Sequence, residues 1–110
     1  MLITFDEFLT RLKFLGKVWR DGAPRDAAYP YWIYTYTNTQ RVIASNQTKQ
    51  IIYEYQVSLF TLGTEKELLP FIKLFDGTPF QDFRGLPGSE NDDTVTNFYT
   101  YIEVVADDEQ

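Results

Sequence analysis

Residues 50–60 alternate in polarity over their whole length. Ile51, Tyr53, Tyr55, Val57 and Leu59 fall on one side of an extended chain, while Gln50, Glu54, Gln56 and Ser58 fall mostly on the other. A period of two defines a strand with one buried face; a helix would repeat its apolar positions every three or four residues. Such a long half-buried strand belongs at the centre of a sheet, so the rest of the chain must supply its neighbours and its cover. Val57 is expected to point inward and Ser58 outward. A charge at Val57 should therefore cost several kcal/mol, and one at Ser58 roughly half a kcal/mol or less.

The cover is legible on both sides of that strand. Thr4-Phe5-Asp6-Glu7 reads as a capping box, followed by Phe5, Phe8, Leu9, Leu12 and Leu15 at helical spacing and a stop at Gly16. The expected helix spans residues 4–15. Thr64-Glu65-Lys66-Glu67 is a second capping box, ahead of Leu68, Leu69, Ile72 and Phe75. Pro70 inside that pattern predicts a kink or a late start, and Asp76-Gly77 an end.

Residues 31–37 are a dense run of strand formers without helical period. Asn38-Thr39-Gln40 reads as a turn, residues 41–45 as a short strand and residues 46–48 as another break. Residues 80–83 suggest a short strand, 84–93 a loop, and 95–105 a last strand with Phe98, Ile102 and Val104 on one face. The segment 20–26 is rich in breakers and charge, hence an exposed connection, and residues 106–110 are an acidic end with nothing to pack. The 110 residues thus read as a single α+β domain over 1–110, a mostly antiparallel sheet of four to five strands packed by two helices. A chain of this length hides roughly two thirds of its surface on folding, enough for a core without staples.

Two absences narrow the chemistry. The chain has no Cys and no His, which excludes disulfide frameworks, zinc fingers, thiol nucleophiles and the Ser-His-Asp triad. The acidic pairs Asp6/Glu7 and Glu65/Glu67 sit in first helical turns, where they complement the helix dipole. Glu90, Asp92 and Asp93 lack the spacing of a calcium loop and read as solvated. There is no phosphate-binding glycine motif, so no catalytic, cofactor or metal residue is assigned and the chain is not expected to be an enzyme. With 10 basic against 16 acidic residues the net charge is −6, the wrong sign for a nucleic-acid groove. No apolar run is long enough to cross a membrane, and the start of the chain lacks a signal peptide's basic region. The one feature that invites a binding role is the aromatic run at 31–36. Packing in the core or between subunits is its plainer use.

In sequence order, Pro30-Tyr31-Trp32-Ile33-Tyr34 is followed by Val42-Ile43-Ala44-Ser45-Asn46, then by a strand ending Val57-Ser58-Leu59-Phe60-Thr61. A Lys/Glu-rich helix over 65–75 and a final strand through Tyr99-Thr100-Tyr101-Ile102-Glu103-Val104 complete the pattern. Across residues 28–105 this resembles the small tail-component proteins of long-tailed phages and prophages of Gram-positive bacteria, which are similar in turn to tail terminator, or tail-to-head joining, proteins. The resemblance implies a structural role without cofactor: a ring, typically a hexamer, that caps the tail tube and docks on the head connector. Its implied partners are further copies of itself, the tail tube protein and the connector protein, with double-stranded DNA only passing through the bore and no membrane. The implied location is the virion tail, after assembly in the host cytoplasm. Candidate assembly contacts are Tyr31, Trp32 and Tyr34 on the aromatic strand and Arg84, Leu86, Asp92 and Asp93 on the loop, with the connection 22–28 beside them. On this reading Trp32→Ala should keep the fold and weaken the ring. Two other readings stay open: a small carbohydrate- or peptide-binding module using the strand at 31–36, and an enzyme whose aromatic pocket works with Tyr and carboxylates alone.

Overall fold

A computed structural model describes residues 2–86 and 96–106. Helix α1 (Phe5–Lys13) starts where the capping box predicts, with the Thr4 hydroxyl accepting the Glu7 amide at 3.2 Å. The Glu7 carboxylate takes the Arg11 guanidinium at 2.7 Å, an exposed pair of the kind that contributes about 0.3–0.5 kcal/mol. Arg11 also donates to the carbonyl of Leu74 at 3.2 Å, which ties the two helical segments together. The second segment is a 3-10 turn (Glu65–Leu68) running into α2 (Leu69–Leu74), with Pro70 in the first turn of α2. Proline has no amide hydrogen to lose there, so the late start is its expected accommodation.

The sheet has five strands: β1 (Val18–Arg20), β2 (Tyr31–Ala44), β3 (Gln47–Thr61), β4 (Arg84–Leu86) and β5 (Thr96–Val105). Their order is β1-β2-β3-β5-β4, with β3 at the centre and only the β1–β2 pair parallel. The fold is therefore α+β with a mostly antiparallel sheet. Both helical segments lie on one face, against Val57, Leu59, Ile102 and Val104. Phe8, Leu12, Phe71 and Phe75 fill the layer between and are fully buried. At about 1.5–3 kcal/mol per buried side chain, these four supply much of the helix–sheet adhesion.

Several sequence expectations are corrected. Residues 38–40 are not a turn: β2 runs unbroken to Ala44, and Ser45 and Asn46, at φ 54° and 63°, make the hairpin turn into β3. Positive φ at both central residues is the geometry whose twist matches the flanking strands. The misreading has a physical source in a bulge. Thr37 is the extra residue between the pairs Tyr36–Tyr55 and Asn38–Glu54, and its hydroxyl turns back to the Glu54 carboxylate at 2.7 Å. Residues 80–83 form no strand, although Phe80 makes an isolated bridge to Ile102; the short strand lies further on, at β4, where a loop was expected. Strand β1 falls at the edge of the supposed connection 20–26. Ala106 is tied to β3 through its amide, 2.9 Å from the Ile51 carbonyl, whereas the rest of the expected acidic tail lies outside the described residues.

The inward face of β3 holds for Tyr55, Val57 and Leu59 and fails at its far end. Ile51 is 40% exposed because it lies in the stretch that the helices do not cover. Ser58 is also buried, although it faces away from the helices, between Ile33 and Tyr99 in register. Tyr55 shows how tightly the inner face is filled. It stacks on Phe5 and Phe8 at 5.2 and 5.6 Å, and burial pushes its phenol above the ordinary tyrosine value. The nearby Arg20 pulls the other way without reversing the shift. A raised folded-state value means that the native protein keeps a proton which the unfolded chain releases. Stability should thus be full below about pH 10 and fall as the pH rises through the raised value. Urea melts between about pH 9 and 11 should show that loss, and Tyr55→Phe should make it shallower; an unchanged slope would remove Tyr55 as its source.

Candidate functional site

Because side chains alternate along a strand, the residues between those that meet the helices form the other face of the sheet. On β2 these are Tyr31, Ile33 and Thr35; on β3, Gln56, Ser58 and Phe60; on β5, Asn97, Tyr99 and Tyr101. No helix of the described residues covers this face. Its aromatics contact one another: Tyr31 stacks between Tyr29 at 5.4 Å and Phe60 at 5.3 Å, and Trp19 of β1 meets it edge-on at 5.5 Å. Tyr31 is half-buried by these rings, and burial together with Tyr29 raises its phenol above the usual value. Such rings present a flat, low-entropy, largely apolar surface with hydroxyl groups at its rim.

The second unusual surface is the distal part of the hairpin. β5 pairs with β3 only as far as Ile52, and β1 pairs with β2 only over Trp32–Tyr34. Residues 41–51, from the pair Arg41–Ile51 to the turn, therefore project beyond the other described strands as a two-stranded arm, and every residue from 36 to 51 is exposed. Three large apolar side chains are displayed there: Val42 (40% exposed), Ile43 (53%) and Ile51 (40%). A two-stranded ribbon is marginal by itself in water, and unpaired strand edges recruit partners. Both features make the arm a candidate contact surface.

The candidate contacts divide accordingly. Tyr31 lies on the open face. Trp32 does not: it is 4% exposed and stacked on Phe71 at 5.3 Å, in the core between sheet and α2. Tyr34 also turns to the helix side, half-buried against Phe5, Phe8 and Tyr55. Neighbours in sequence thus serve opposite faces; Trp32 is too deeply buried to reach a partner, whereas Tyr34 keeps part of its surface on the helix side. Arg84 and Leu86 are exposed on the edge strand β4, which is consistent with contact. Asp92 and Asp93 lie outside the described residues. In the connection 22–28, Ala28 accepts a hydrogen bond from the Lys17 ammonium, which anchors part of the segment. The arm itself escaped sequence reasoning, although a polar strand pair with isolated apolar residues was its available signal.

Three surface depressions are lined by described residues alone, and none of these three brings a nucleophile beside a base. One of about 320 Å³ runs along Trp32, Leu59, Pro30 and Pro70. A ledge of about 490 Å³ is lined by Phe14, Pro70 and Leu74. The third, also about 320 Å³, lies by the open face and is lined by Glu54, Glu103, Tyr101 and the segment Pro79-Phe80-Gln81. Among the described residues, no group of three or more Asp or Glu side chains gathers to hold a metal ion. No protein-family model matches the chain, nor does any curated protein or solved structure.

Proposed function

We propose that this chain is a non-enzymatic assembly subunit that closes a ring on the end of a phage tail tube and joins the tail to the head connector. The observation that carries the assembly role is the projecting arm at 41–51, whose edges no other described strand pairs and which carries exposed apolar side chains. Ring closure needs two different patches per subunit, related by a rotation that returns to the start. The arm is one such patch; the aromatic face and the edge at Arg84 and Leu86 offer others. Assignment to a tail rests on the resemblance over residues 28–105. Deleting the gene from the phage should give tubes of abnormal length or tails without heads, seen by negative-stain microscopy. Normal-length tails on filled heads would refute the proposal.

The row formed by Trp19, Tyr29, Tyr31 and Phe60 favours one second reading, a module that stacks carbohydrate or peptide on the open face. That reading needs no arm. Ligand binding that survives removal of the arm would support it over the ring.

A further inference from the structure

Charge is divided unevenly between the arm and the body. Residues 41–51 contain Arg41 and Lys49 and no acidic residue, a charge of +2. The described residues outside the arm hold eight basic and ten acidic side chains, a charge of −2. An arm of one copy and the body of another attract, whereas two arms repel. The open face also carries an uncompensated feature. Glu54 and Glu103 sit directly opposite each other across β3 and β5, an arrangement that like charges make unfavourable. Thr37 donates to Glu54 at 2.7 Å, and no basic side chain lies within ion-pair distance of either carboxylate among the described residues. These two acids line the groove bounded by Tyr101 and Pro79-Phe80-Gln81, so the groove offers apolar walls and negative charge together. The arm offers the complement: Arg41 and the exposed Ile43 share one face of β2, with Lys49 on the paired strand.

Dimensions agree with an exchange between neighbours. From Ile51 to the turn at Asn46 the arm advances five residues, about 17 Å at the usual strand rise. The molecule measures 52 × 26 × 21 Å, and its long dimension matches the fifteen residues of β3 at about 3.4 Å each. The arm thus reaches most of the way across a neighbour's narrowest dimension, which lets that neighbour receive the tip while the two bodies touch.

We infer that the arm of each subunit docks, through Arg41, Lys49 and Ile43, into the Glu54–Glu103 groove of a second copy of this chain. The contact is heterologous and repeats from copy to copy. It rests on the ring reading only in requiring that copies meet.

A charge swap on the full-length chain tests it. Reversal of the arm (Arg41→Glu with Lys49→Glu) and reversal of the groove (Glu54→Lys with Glu103→Lys) should each weaken self-association at least tenfold, measured by sedimentation at low salt. Mixing the two reversed proteins should restore a mixed oligomer, because each then supplies the partner that the other lacks. Far-UV circular dichroism of each variant verifies folding, and Arg41→Gln with Lys49→Gln provides a milder arm variant should the reversal unfold. Loss in both variants without rescue on mixing would overturn the contact. Oligomers that persist in both variants, or crosslinks from Lys49 to a site away from the groove or only to the tail tube protein, would overturn it while leaving the ring intact. A wild-type chain that stays monomeric both alone and on purified tube ends would overturn the ring reading itself.

Discussion

Val57→Asp is expected to leave most of the protein unfolded at room temperature. Val57 has no exposed surface and lies on the central strand between Tyr34 and Thr100 in register, beneath the helices. The substitution removes apolar burial of about 1.5–3 kcal/mol and places a carboxylate in the apolar layer between sheet and helices. An unpaired buried charge costs several kcal/mol more, or stays neutral by taking a proton at similar expense. The total stability of a domain of this kind is about 5–15 kcal/mol, so the sum takes most of it. Ser58→Asp is the internal comparison. Ser58 is only 8% exposed, so its loss should exceed the half kcal/mol of an ordinary surface site and reach roughly 1–2 kcal/mol. It faces the open side, where a small movement of Tyr99 or Ile33 admits water. Urea denaturation should therefore separate the two variants widely. Equal losses would mean that β3 is shifted by one residue, because a slip exchanges its faces.

The elements legible in the sequence are those whose signal is local. The capping box at Thr4 and the spacing of Phe5, Phe8 and Leu12 define α1 without reference to anything distant, and Pro70 marks where α2 begins. The alternation in β3 is equally local. What escaped depends on pairing across the chain. β1 has only three residues and exists because Val18, Trp19 and Arg20 align with Trp32, Ile33 and Tyr34. In the run 31–36 both faces carry large side chains, so no period shows which face is which. Register settles it: Trp32 pairs with Leu59 and Tyr31 with Phe60. The bulge at Thr37 then reverses the parity, which places Thr39 and Arg41 opposite Tyr53 and Ile51. Asn38 looked like a turn residue for the same reason that it tolerates the bulge. The true turn, Ser45-Asn46, lacks the glycine that usually advertises such a hairpin. The arm was hidden because its definition is negative: it is the part of the hairpin that the other strands do not reach.

That register makes adjacent substitutions diverge. Trp32→Ala should cost about 3–5 kcal/mol, the range for removing a large buried aromatic. The ring stacks on Phe71, which itself meets Phe75, Phe80 and Phe83, so its loss loosens the whole contact between α2 and the sheet. At roughly 4 °C or more per kcal/mol for a domain of this size, the melting temperature should fall by about 12 °C or more. Tyr31→Ala removes a ring from the open face, where it is half-buried and backed only by other aromatics, and should cost about 1–2 kcal/mol. The fold should survive that change with its circular dichroism intact. Any defect in assembly then belongs to the surface, since Trp32→Ala confounds contact with folding and Tyr31→Ala does not. A Trp32→Ala protein with an unchanged melting temperature would place the indole outside the core and exchange the two faces of β2. If the faces stand, Tyr31→Ala subunits that are folded yet fail to close rings locate a contact on the helix-free face. Folded Tyr31→Ala subunits that still close rings leave the arm and the edge at Arg84 and Leu86 as the candidates for joining them.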